Sequence, residues 1–110
     1  MTPVIVLTTV GASFDPQPLV LDLVERRLAA CVNVIPRIHS IYRWKGKIER
    51  DDEQLLIIKT MEERVGELKD ALFAAHPYEV PEFVVIAPRD VAEPYRQWLL
   101  DSTTAEEERR

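Results

Sequence analysis

The sequence predicts an α+β fold, a ferredoxin-like βαββαβ sandwich with one four-stranded antiparallel sheet and an extra C-terminal helix. Three observations lead there. Short runs of β-branched residues alternate twice with stretches whose apolar residues recur at helical spacing. Two long strand-like runs in the middle are joined by only "WKGK", which makes them an antiparallel hairpin. A chain of 110 residues is long enough for one two-layer core and no more. Right-handed crossovers then place both helices of the two βαβ halves on the same face of the sheet.

Each element has its own reason. Residues 3–9, "PVIVLTT", form a short β-branched run ended by Gly11. Leu19, Val20, Leu23, Val24 and Leu28 then fall on one helical face, and Asp15 followed by Pro16 supplies an N-cap and a first-turn proline. The first helix is expected over 16–30. Residues 32–60 read as the hairpin. Pro36 cannot donate to a ladder and coincides with a change of apolar phase, so a bulge is expected there. Gly46 takes the positive φ of the turn. Leu55 to Ile58 are apolar on both phases, which predicts a strand covered on both faces. Thr60 and Glu63 have capping-box spacing, and Val65, Leu68, Leu72 and Phe73 form the stripe of a second helix. That helix ends at His76, because Pro77 disfavours helical backbone in the residue before it. Residues 82–88, "EFVVIAP", give the fourth strand, and 92–100 a third helix presenting Tyr95, Trp98 and Leu99. The domain is assigned to 1–102, and 103–110, without an apolar face, to a mobile tail.

The hairpin implies a partner. Arms of eleven to thirteen residues span roughly 35 to 40 Å at about 3.3 Å per residue, whereas a compact domain of this size has a radius of gyration near 13 Å. The tip overshoots its own core, yet Ile38, Ile41, Tyr42, Trp44 and Ile48 keep it apolar. A second copy covering them predicts a homo-oligomer.

Composition narrows the function. Nineteen acidic against fourteen basic residues give a net charge of -5, with no basic cluster interleaved with aromatics, which argues against nucleic acid. No segment has the roughly 20 apolar residues of a membrane span, and the N-terminus lacks the charged start and apolar length of a signal peptide. Cys31 is the single cysteine, so no intrachain disulfide forms, and the expected compartment is the cytoplasm. Cys31, His76 and Glu79 include the types of a nucleophile, a base and an orienting group, but nothing in the sequence brings them together and no glycine-rich oxyanion or phosphate loop accompanies them. The expected protein is not an enzyme. The acidic run "ERDDE" reads as a solvated strand face without the alternating spacing of a calcium loop.

Four segments in order, "ERRLAACVNVIP", "SIYRWKGKIE", "LLIIKT" and "HPYEVPE", make the chain resemble the CutA family of proteins linked to divalent-cation tolerance over nearly all of residues 4–99. The resemblance implies a homotrimer similar in architecture to PII signalling proteins, with the hairpins completing sheets between subunits. It also implies Cu2+ or another divalent metal ion as ligand, and no organic cofactor. The family's first-strand cysteine falls on Thr8 and the first of its paired histidines on Ala75, leaving His76, while Cys31 matches the family motif. The expected metal ligands are therefore His76, with Cys31, Glu79 or a neighbouring subunit completing the set. Against this stands a structural role for His76 at a helix C-terminus and for Cys31 as a small buried hydrophobe. Lys59, which the resemblance places facing a cleft between subunits, Tyr42, Trp44 and Tyr78 are the expected cleft residues. The second reading is a PII-like signalling module that takes a small anionic ligand or a partner protein in those clefts, with Lys59 as counter-charge; a cysteine-dependent enzyme is the third.

Overall fold

The computed structural model describes residues 1–105. In chain order it contains β1 (Pro3–Gly11), α1 (Gln17–Glu25), β2 (Cys31–Trp44), β3 (Lys47–Met61), a turn of 3-10 helix (Glu62–Arg64), α2 (Val65–Ala75), β4 (Val84–Ile86) and α3 (Glu93–Thr103). The sheet order is β2-β3-β1-β4 with every pair antiparallel, as the βαββαβ order requires. Val6 and Ile58 from the sheet, Leu19, Leu23, Leu28 and Ala29 from α1 and the turn after it, and Leu68 and Leu72 from α2 form the core.

The first helix is shorter than its apolar spacing predicts. Arg27 takes a left-handed φ of 59°, its N–H bonds Val24 O at 3.1 Å, and the N–H of Leu28 bonds Leu23 O at 3.0 Å. This is a Schellman ending with arginine where glycine is usual. Leu28 is still buried, at 2% exposure, because the reversal folds it back onto Leu23. The Arg27 guanidinium meets the carbonyl oxygens of Asp101 and Ser102, each at 3.3 Å, and Arg64 Nε meets that of Thr103 at 2.6 Å. Two arginines thus donate to the last carbonyls of α3. Asp15 Oδ1 accepts the N–H of Gln17 at 3.1 Å, one residue ahead of the α1 N-cap, Pro16.

The expected capping box does not form. Thr60 is still within β3, fully buried, and its hydroxyl donates to Leu28 O at 2.8 Å, while Arg64 is the N-cap of α2. The fourth strand is three residues rather than seven. The third helix is longer than expected, and Thr103 is helical and 2% exposed. The remainder of the expected tail, 106–110, lies outside the described residues.

The hairpin forms with its predicted bulge and turn, and its arms, at 14 and 15 residues, are longer than the expected eleven to thirteen. The register shifts between Ile35 and Ile38, so Pro36 and Arg37 oppose Gln54 alone in a bulge. Lys45 and Gly46 both have positive φ, 48° and 79°, the pattern of a type I′ turn. The principal extents are 51 × 28 × 21 Å and the radius of gyration is 15.0 Å, well above the value near 13 Å of a compact chain of this size. Tyr42, Trp44, Ile41 and Ile48 at the tip are 38 to 61% exposed.

Candidate functional site

Residues paired across a sheet share a face, and successive residues alternate. Val6 and Ile58 point to the helices, so Ile5, Leu7, Thr9, Leu55, Ile57 and Lys59 lie on the opposite, open face. Val84 and Ile86 join them from β4, and Ile35 and Ile38 from β2. None of these residues is buried. The prediction that Leu55 to Ile58 are covered on both sides is met within the chain only by Leu56 and Ile58, which are fully buried.

At the hairpin end of the open face runs a groove of about 730 Å³. Ile38, Ser40, Tyr42 and Trp44 line it from β2, Glu53 and Leu55 from β3, and residues 77–82 wall it on the side of β1. Its wall is fixed by hydrogen bonds. His76 caps α2 with extended backbone. The backbone N–H of Tyr78 donates to its Nδ1 at 3.1 Å, and its Nε2 lies 2.9 Å from Thr9 O and 3.2 Å from Thr8 Oγ1. A carbonyl oxygen can only accept and an amide N–H can only donate, so the imidazole is neutral with its proton on Nε2. Burial lowers the His76 pKa below its ordinary 6.5, against the smaller opposing effects of the Thr9 bond and the Glu53 charge.

Tyr78 continues the chain of contacts. Its hydroxyl donates to Glu53 Oε2 at 2.6 Å, and its ring lies edge-on to His76 with centroids 5.0 Å apart. Burial, then the bond to Glu53, raise the Tyr78 pKa far above 10. Tyr42 donates to Asp51, and that bond pushes its pKa up to about 12. Glu53 was read as part of a solvated acidic run, but it is only 8% exposed beneath Tyr78. Its phase carries the signal that was missed, since Glu53 alternates in step with Leu55 and Ile57.

The expected site residues fall into two places. Tyr42, Trp44, Tyr78 and Glu79 line the groove, and His76 anchors its wall. Cys31 and Lys59 pair with each other at the other end of the hairpin. Lys59 is six residues from Glu53 along β3, about 20 Å in an extended strand. The groove lining holds the carboxylates of Glu53, Glu79 and Glu82 and no lysine, arginine or histidine, so it does not provide Lys59 as counter-charge to an anion. Among the described residues no three of His, Cys, Asp and Glu in one chain gather as a metal site. The expected set of His76, Cys31 and Glu79 is not assembled within one chain among the described residues, and both ring nitrogens of His76 are engaged in hydrogen bonds. Cys31 is half-buried, its Sγ 4.0 Å from Asn33 Oδ1. No helix among the described residues is long and apolar enough to cross a membrane.

A family profile described as CutA1 divalent ion tolerance protein matches residues 4–102. The divalent-cation tolerance protein CutA of Thermus thermophilus is 41% identical over 99 residues, covering 90% of this chain and 96% of that protein. A CutA homolog of Xenopus laevis is 52% identical over 79 residues, 72% of this chain but 52% of that protein, so the match spans about half of that relative's length. The crystal structure of CutA1 from Oryza sativa superposes with a TM-score of 0.89 at 36% identity, covering 96% of this chain and 97% of that one.

Proposed function

Because the chain belongs to the family of CutA1 divalent ion tolerance proteins, we propose that it serves divalent-cation tolerance as a cytoplasmic, non-enzymatic homotrimer closed through its open sheet face and hairpins. The observation that carries this reading is the uncovered face. Ile35, Val84 and Ile86 are 38 to 45% exposed on it, and Ile5, Leu7, Leu55 and Ile57 extend the apolar surface between them. A monomer in water does not keep an apolar sheet face of this extent bare, and a cyclic assembly covers it in every copy. Sedimentation equilibrium at micromolar concentration is expected to give three times the 12.7 kDa chain mass. A monomer there would overturn the proposal.

The metal contact follows from the same assembly. Among the described residues one chain gathers no chelating group, so a divalent ion such as Cu2+ is taken by donors from more than one subunit, with Cys31 and Glu79 the contributors from this chain. His76 stays in its hydrogen bonds. Calorimetric titration with Cu(II) and Zn(II) is expected to show uptake that weakens in Cys31→Ser and Glu79→Gln and is unchanged in His76→Ala. Uptake lost only in the histidine variant would reverse this assignment. The acidic lining of the groove disfavours the reading as a receptor for a small anion.

A further inference from the structure

Among the described residues Glu53 is the only charged side chain that is buried, at 8% exposure. Its Oε2 accepts the Tyr78 hydroxyl at 2.6 Å. No described residue donates to Oε1 or pairs the carboxylate with a cation. Oε1 is not an orphan sealed among protein atoms either, so it opens into the groove that Glu53 lines. A buried carboxylate is ordinarily matched by a positive charge. Within the chain this one is not.

The rest of the lining favours a positive guest. Glu79 and Glu82 add two exposed carboxylates from the wall, and Tyr42, Trp44 and Tyr78 add three aromatic rings. Each tyrosine donates its hydroxyl to a carboxylate, Tyr42 to Asp51 and Tyr78 to Glu53, which enriches the ring in electron density and strengthens its attraction for a cation. Lys45 Nζ, 5.5 Å from the centre of the Trp44 ring, shows the same attraction at work within the chain. Ile38 and Leu55 supply apolar surface between the charged and aromatic groups.

We propose that the groove binds a linear aliphatic di- or polyamine in its protonated form, one ammonium donating to Glu53 Oε1, the methylene chain lying along Ile38, Leu55 and the aromatic rings, and the further charge meeting Glu79 and Glu82. The volume of about 730 Å³ suits a small molecule. Other cations match the lining less well. A hard divalent ion holds its water and gains nothing from aromatic rings, and no three metal-ligating side chains converge among the described residues. A quaternary ammonium has no N–H for Oε1, and a single ammonium leaves the wall carboxylates unmatched. The proposal goes beyond cation tolerance and asks only that the groove stays open in the assembly.

Nitrogen-15 NMR titration of the assembled protein with 1,4-diaminobutane at neutral pH and low salt tests this, with 1,4-butanediol and Mg2+ as controls. The diamine is expected to give saturable shifts at the Trp44 indole and the Tyr78 amide, while the diol, and Mg2+ at the same concentration, leave both signals in place. Glu53→Gln keeps an oxygen for the Tyr78 hydroxyl and removes the charge, so its apparent Kd should rise about tenfold or more, the worth of a charge-assisted hydrogen bond. Glu82→Gln, on the exposed wall, should weaken binding by a smaller factor without touching the packing. A diamine response that does not saturate, which is also the result if a neighbouring subunit fills the groove, would overturn the proposal. So would an equal response to Mg2+ or the diol, or an affinity unchanged in Glu53→Gln. Subunit number is read by sedimentation and Cys31-dependent metal uptake by calorimetry, so failure here leaves the tolerance reading standing.

Discussion

Replacing Trp44 by alanine separates the assembly from the subunit. Trp44 ends β2 at the hairpin tip, outside the helix-side core, and Lys45 Nζ sits 5.5 Å from the centre of its ring. In the isolated chain it is 38% exposed, which for a side chain of about 250 Å² leaves roughly 95 Å² for a neighbour to cover. At about 25 cal/mol per Å² this is a ceiling of about 2.4 kcal/mol per chain, or roughly 7 kcal/mol for a closed trimer. Part of that is offset by ordering at the interface, so a loss of about 1 to 2 kcal/mol per chain is the expected result. Sedimentation equilibrium over a range of concentrations reads the monomer–trimer constant directly, and Lys45→Ala serves as a control that removes the cation–π contact alone. An association constant that moves by less than about tenfold, with unfolding of the subunit weakened instead, would refute the placement of Trp44 between chains.

Other substitutions address the subunit. Leu68→Ala, at a fully buried position packed with Leu23, Ile58 and Leu72, should cost about 2 to 5 kcal/mol in denaturant unfolding, and a near-neutral result would take α2 out of the core. Arg27→Ala should destabilise by about 1 to 3 kcal/mol, because it loses the donors to Asp101 O and Ser102 O and keeps a left-handed backbone. Arg27→Gly should lose less, since glycine adopts that φ freely; equal losses would show that the left-handed geometry is without cost. Stability should also depend on pH through His76. Its folded pKa lies below that of the unfolded chain, so its contribution is complete above about pH 6.5 and declines as pH falls through and below that value. The decline should disappear in His76→Asn, as measured by thermal unfolding at pH 5 and pH 7.5.

The fold was legible because its strongest signals are local and agree with one another. The two period switches, the Lys45–Gly46 turn and the phase change at Pro36 each correspond to a feature of the sheet. The misses have one physical origin, namely that long-range partners decided between local alternatives. Thr60 had a capping-box partner in sequence, but the Leu28 carbonyl brought to it by the α1 crossover claimed its hydroxyl. Arg27 lay within an unbroken helical stripe, and the carbonyls of α3, more than seventy residues away, hold it where the helix must end. His76 was correctly placed at the end of α2. What its ring nitrogens meet depended on how far β4 extends along β1, which apolar pattern alone overestimated.

The short β4 and the long hairpin are linked through the same sheet. A seven-residue β4 would have continued past Leu7 and paired with Thr9, leaving no space at that edge for His76 or the groove wall. With three residues it leaves the hairpin half of β1 to be closed by side chains. Meanwhile β2, at the opposite edge of the sheet, is 14 residues long and among the described residues has no strand on its outer side. An unpaired edge of that length is a template for another strand. The fold therefore has one edge that side chains close and one that a further chain can close, and assembly is expected to pair the second. Hydrogen exchange on the assembled protein tests this division: β2 amides at the outer edge should be protected, and exchange at the rate of an unpaired edge would show that no further strand closes it.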